Sequence, residues 1–257
     1  MLPADMEQIS RLRRAIAKTE ALPEEVRPLA LGVAEIDAAL SGGLTRAALH
    51  ELSATALQPG ATTGFALTLA ARASQQAKET LWIATDFGTL ETGALYGPGL
   101  DQIGLSSERL IVVRVARPVD ALFAAEEALK CRALSTVVAE LSGETDLTAT
   151  RRLGLAAREG GALGILLRHK LSNAPSAAFT RWQVAAAPSV PDEFGGLGSM
   201  AFHLSLTRNR RGPCGAWTLT WNHHERTFSA LSVGVAAPAF DRPNRAPLRR
   251  RTDAHNR

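Results

Sequence analysis

Two cysteines, Cys131 and Cys214, are too few to staple a chain of 257 residues, and neither has a CxxC partner. That scarcity excludes a disulfide scaffold and fits a reducing cytosol. Histidine is sparse as well. Six are scattered along the chain, and the adjacent His223 and His224 would point to opposite faces if they lay on a strand. No zinc-ligand spacing occurs, so no metal centre is expected. No apolar run approaches the roughly 20 residues needed to cross a bilayer. The opening segment MLPADMEQISRLRR turns charged at once instead of forming a secretory leader. These absences predict a cytoplasmic protein with no membrane partner. Lysine is the remaining shortage: only Lys18, Lys78, Lys130 and Lys170 occur, leaving 25 of the 29 basic residues as arginine. Arginine's planar fork suits phosphates and carboxylates, although codon composition produces the same bias.

What is present describes an ordinary globular chain, 46% hydrophobic and 21% charged. Its length suits one large domain or two small ones with a real core. The formal charge of +4 is concentrated at one end. Segment 238–257 carries six arginines against Asp241 and Asp253, whereas residues 1–237 balance 23 basic against 23 acidic side chains. That last segment is broken by proline and lacks periodicity, which predicts a disordered basic tail. Non-specific attraction to DNA therefore falls largely on the tail, with Arg249, Arg250 and Arg251 at its centre.

Periodicity divides the rest. Met6, Ile9, Leu12 and Ile16 recur at three- and four-residue spacing, predicting a helix over 6–20 with one narrow apolar stripe and an arginine-bearing back. Pro23 and Pro28 end it. That stripe either docks on a partner or packs within its own domain. The middle alternates apolar strands (48–53, 80–85, 110–115, 136–140, 162–167) with helices (62–78, 119–132, 147–159). Such a pattern predicts a mainly parallel sheet flanked by helices. After Ser172 come shorter alternating runs at 178–187, 200–208, 216–222 and 226–231, predicting an antiparallel C-terminal extension. The expected organisation is a docking helix and linker at 1–28, an α/β domain at 29–237 and the tail at 238–257.

The first strand, ending HELS, leads into the turn ATALQPGATT and a helix, the place a phosphate-binding loop would occupy. Such a loop needs backbone N–H groups around phosphate, a lysine on the β- and γ-phosphates, and a Ser/Thr on Mg²⁺. Gly60, Thr62 and Thr63 stand where its last residues belong, but Ala61 occupies the lysine position. Losing that cation removes a main phosphate contact and much transition-state stabilisation. By itself the loop reads as a structural turn, with Thr62 available to cap the helix. Asp86 and Glu140, both at strand ends, are candidates for a general base and an Mg²⁺ ligand, or else carboxylates that cap helices and finish strands. Arg208, Arg210 and Arg211 form a basic turn that can track a phosphate backbone or simply face solvent. Trp217 and Trp221 share a strand face, which favours core packing over base stacking.

The order LGVAEIDAALSGGL (31–44), ALHELS (48–53), GATTGFALTLAARA (60–73) and LWIATD (81–86) resembles the core of RecA-type recombinases. In that resemblance Asp86 takes the place of the water-activating acid, Glu140 that of the Walker B aspartate, and Arg168 lies near the γ-phosphate switch. Within that superfamily the chain is most similar to the ImuA family. PSAAFTRWQVAAAPS (175–189) and LTRNRRGPCGAWTLTWNHHERTFS (206–229) carry the likeness, together with the missing lysine. The resemblance implies a RecA-like fold and a non-catalytic adaptor in SOS-induced translesion DNA synthesis. It implies ImuB as a partner of the chain, with RecA and an error-prone polymerase as further associates, and the nucleoid as the place of action after damage. ATP and Mg²⁺ are not expected as cofactors. Two alternatives remain beside it: a divergent DNA-dependent ATPase or recombinase that takes a cation from Lys170 or a neighbouring subunit, with self-association, and a plain DNA-binding module.

Overall fold

The computed structural model describes residues 27–55, 59–74, 78–143, 145–191, 196 and 198–231. The docking stripe (Met6, Ile9, Leu12, Ile16) and the tail arginines (Arg249, Arg250, Arg251) lie outside the described residues.

Nine strands among the described residues form one sheet in the order β3-β2-β4-β5-β1-β6-β7-β8-β9. In chain order they are β1 (Ala48–Ala54), β2 (Glu79–Thr85), β3 (Leu110–Val115), β4 (Leu134–Glu140), β5 (Leu163–Arg168), β6 (Thr180–Ala186), β7 (Ala201–Asn209), β8 (Gly215–Asn222) and β9 (Thr227–Ala230). Strands β1 to β6 pair in parallel, and β6 to β9 continue antiparallel. The helices are α1 (Ala34–Ala39), α2 (Pro59–Ala73), α3 (Asp86–Thr92), α4 (Gly97–Gln102), α5 (Pro118–Lys130) and α6 (Leu147–Gly160). The expected α/β class, a mainly parallel sheet with an antiparallel C-terminal extension, is therefore what the chain adopts.

Every residue of β1, β4 and β5 is buried, as strands covered on both faces must be. On one face α2 lays Phe65, Leu69 and Ala70 into a core with Leu52, Trp82, Val138 and Ile165. Phe65 anchors an aromatic group, with ring centroids 5.6 Å from Phe202, 5.7 Å from Phe228 and 6.4 Å from Trp182. Trp221 is buried in the same core, as its strand parity suggests, and Trp217 packs at its margin. The opposite face is closed by α5 and α6 through Ala121, Ala125, Leu129 and Leu153. These two helices approach each other closely where Gly160 ends α6: a Cβ there would stand 2.0 Å from the Leu129 carbonyl oxygen.

Several local expectations need correction. The helix expected at 62–78 spans Pro59–Ala73, with proline in its first turn where a missing N–H costs nothing. Thr62 is thus inside the helix and caps nothing; its hydroxyl is buried without a hydrogen-bond partner among the described residues. The polar stretch after β2 holds α3 and α4, too short to show a hydrophobic period. His223 and His224 lie in the turn after β8 with ring centroids 4.0 Å apart, not on opposite strand faces. The apolar run LIVVRV forms the edge strand β3, so Ile111 and Val112 are about half exposed despite their character.

A buried polar chain joins β1 to β6. Trp182 Nε1 donates to the Thr180 hydroxyl (2.7 Å), which lies 2.7 Å from His50 Nδ1, and His50 Nε2 lies 2.8 Å from the Thr45 carbonyl. A carbonyl only accepts, so Nε2 carries the proton and Nδ1 accepts from Thr180: the ring is neutral. Burial lowers the His50 pKa to about 4, against a smaller opposing effect of the Thr45 carbonyl. Since the unfolded imidazole binds a proton near its ordinary pKa, stability rises with pH between the two values and is lost as pH falls from neutrality toward 4. Acidification from pH 7 to pH 5 should therefore cost about 2 kcal/mol through His50. Urea unfolding across that range should show this slope in the wild type and a flattened one in His50→Gln.

Candidate functional site

A cavity of about 410 Å³ opens between the carboxyl ends of β2 and β4 and the first turns of α2. In open α/β sheets this is where ligands bind. Gly60 and Thr63 line it from α2, Ala84 and Glu140 from the sheet, and Thr89 and Thr92 from α3. Two of the five residues expected here are elsewhere: Thr62 points into the core, and Asp86 starts α3 outside the cavity lining. Thr85, not Asp86, caps α3, accepting from the Gly88 N–H at 3.1 Å. Asp86 instead meets Arg114 at 3.1 Å, with both side chains more than half exposed, so this pair adds little to stability.

Glu140 is the chemical centre of the cavity. Trp82 Nε1 donates to its Oε2 at 3.0 Å, and His169 Nε2 reaches its Oε1 at 2.7 Å. The Thr92 hydroxyl, 3.1 Å from Oε1 and 2.9 Å from the Gly88 carbonyl, shares its single proton between them. Burial by itself would raise the Glu140 pKa. The hydrogen bond and charge of His169, with the bonds from Trp82 and Thr92, outweigh it and hold the carboxyl below its usual range. Glu140 is therefore ionised, with His169 bonded to it and Arg114 lining the same cavity.

ATP with Mg²⁺, which the recombinase resemblance would place here, does not fit these residues. Ala61 packs against the core where a lysine would reach phosphate. Thr62 has its hydroxyl buried away from the cavity, and Glu140 turns its oxygens to three protein donors. Arg168 has also left any γ-phosphate position: it is 3% exposed and bonded to Glu51.

Glu51 went unrecognised in the sequence, as did Arg181 and His169. Glu51, 1% exposed at the middle of β1, accepts from Arg168 Nε at 3.0 Å and from Arg181 at 3.2 Å. Register explains the meeting, because Glu51 pairs directly with Arg181 on β6 and Ser53 with Arg168 on β5. Both arginines extend the tie to loops, Arg168 to the Gly143 carbonyl and Arg181 to the Ser172 carbonyl. A charged residue inside the apolar strand ALHELS, with arginines ending or starting its two neighbours, is the sequence signal for this cluster.

The basic turn lies far along the chain from the cavity, at the end of β7. Arg208 donates to the Ser176 carbonyl, Arg210 to the Ala177 carbonyl at 3.0 Å, and the Arg211 guanidinium stands 5.4 Å from the Phe179 ring centroid. Lys170 is exposed and does not line the cavity. No group of three or more metal-ligating side chains occurs among the described residues, and none of their helices is long and apolar enough to cross a membrane.

Removing Glu51 leaves the buried Arg168 guanidinium, and the half-buried one of Arg181, without that counter-charge, which costs about 3–5 kcal/mol in comparable buried cases. Glu51→Ala should lower the urea midpoint accordingly, and Asp86→Ala, removing an exposed pair, should shift it by less than about 1 kcal/mol.

A family model described as "Cell division inhibitor SulA" matches residues 47–164, which covers β1 to β4 and the first residues of β5. Protein ImuA of Caulobacter vibrioides (strain NA1000 / CB15N) is 33% identical over 208 residues, covering 74% of this chain and 82% of that protein. Protein ImuA of strain ATCC 19089 / CIP 103742 / CB 15 of the same species gives the same identity and coverage. With this identity across most of both chains, the protein belongs to the ImuA family.

Proposed function

We propose that the chain is a non-catalytic, RecA-like adaptor in DNA-damage-induced mutagenesis, one that binds ImuB and helps bring an error-prone polymerase to damaged DNA. Family membership supports the broad role. The observation that carries the adaptor reading is the state of the cavity: Glu140, at the Walker B position, is bound to Trp82, Thr92 and His169, and the lysine position is Ala61. A carboxylate held by three donors braces β2, β4, α3 and the segment after β5 against one another. It is poorly suited to collecting a magnesium ion and a triphosphate. On this reading neither ATP nor Mg²⁺ is a cofactor, and the protein acts in the cytoplasm, at the nucleoid once damage has occurred. RecA is a further associate, and self-association belongs to the alternative in which a neighbouring subunit supplies the missing cation. The apolar stripe Met6, Ile9, Leu12 and Ile16 is the proposed contact with ImuB.

Two measurements test this. ATP turnover, assayed with and without DNA, should stay at background, and nucleotide should not shift the melting temperature. Turnover that Asp86→Asn abolishes would overturn the adaptor in favour of a divergent ATPase. Co-purification with ImuB should be lost in Leu12→Asp while the monomer stays folded, whereas an unfolded variant would place the stripe within the domain.

A further inference from the structure

Another cavity, about 440 Å³, is a cleft along α6, on the sheet face away from α2 and Glu140. Leu147, Arg151, Gly154, Leu155 and Arg158 recur at three- and four-residue spacing and form its α6 wall. Ser176, Ala177 and Phe179, just before β6, with Arg208 and Arg210 from the end of β7, form the other wall. Four arginines thus converge from two distant stretches of sequence, and none of the described residues lining the cleft is acidic. The next arginine on α6, Arg152, lies outside the cleft and is paired with Glu126 of α5.

We infer that this cleft binds single-stranded nucleic acid, with the arginines on phosphates and the apolar side chains on bases. The chemistry of both walls supports it. The Ser176 and Ala177 carbonyls brace Arg208 and Arg210, and a carbonyl orients a guanidinium without cancelling its charge. Between the cations lie Phe179, half-buried, and Leu147 and Leu155, 50% and 60% exposed. Acidic peptides need only the cations. Unpaired bases need apolar and aromatic surface beside the cations, as single-strand binding sites provide. From Leu147 to Arg158 the α6 wall runs about 16 Å, room for a few nucleotides of one strand. Gly154 keeps the middle open, since a Cβ there would meet nothing within 4 Å. The inference is independent of the adaptor reading, because the cleft shares no residue with the Glu140 cavity or with the proposed ImuB stripe.

The test uses the full chain and a fluorescein-labelled oligo-dT of 15 nucleotides. Arg151→Gln with Arg158→Gln should weaken binding at least tenfold and reduce the salt slope of log K by about 1.4, the share of two phosphate contacts on a single strand. Gly154→Glu, which adds a carboxylate where there is space, should weaken it similarly without disturbing the fold as judged by circular dichroism. A chain lacking 238–257 should keep the dependence on Arg151 and Arg158. Absent binding by the wild type overturns the inference, and so does unchanged affinity in the folded variants. Equal affinity for a duplex, or equal competition by polyglutamate, overturns the assignment to single strands.

Discussion

A carboxylate cannot sit at the middle of a fully buried strand unless its charge is met, and Glu51 is such a carboxylate. Two arginines meet it, and they come from the strands on either side of β1. The three central strands therefore have one register in which the charge is satisfied, and a one-residue slip of any of them would strand a buried ion. Because Arg168 and Arg181 also bind the Gly143 and Ser172 carbonyls, the same cluster fixes the loops that follow β4 and β5. His169, the next residue after Arg168, is thereby delivered to Glu140. Both the packing of the sheet centre and the shape of the cavity follow from this constraint.

The two cavities differ in charge on opposite faces of one sheet, one lined by Glu91, Glu140 and Arg114 and the other by four arginines. The cavity at the carboxyl ends of β2 and β4 has a carboxylate floor held ionised by its donors, while the α6 cleft is lined by guanidiniums. Such a division does not appear in a net charge, which sums over the whole chain.

Alternating apolar runs and helical periods made the parallel strands legible, since burial on both faces leaves a continuous hydrophobic signature. The strand Leu110–Val115 has the same signature for a different reason and is an edge, because composition reports how apolar a run is and not what covers it. The short helices α1, α3 and α4 were invisible to periodicity, which needs more than two turns. At the site, Gly60, Thr63 and Glu140 were placed by motif spacing alone. Thr62 and Asp86 were misplaced because the helix begins at Pro59 and Thr85 takes the cap, local choices that a motif does not encode. Glu51 was missed since its partners Arg168 and Arg181 lie 117 and 130 residues away, where only strand order brings them together.

Ala61, packed against the core, and Thr62, with its hydroxyl turned inward, stand in the first turn of a helix that faces a carboxylate shared among Trp82, Thr92 and His169. Those three contacts span β2, β4, α3 and the segment after β5, so a change at Glu140 would loosen several elements at once. Selection for stability is by itself enough to hold such positions fixed, because each of them carries packing for more than one part of the fold.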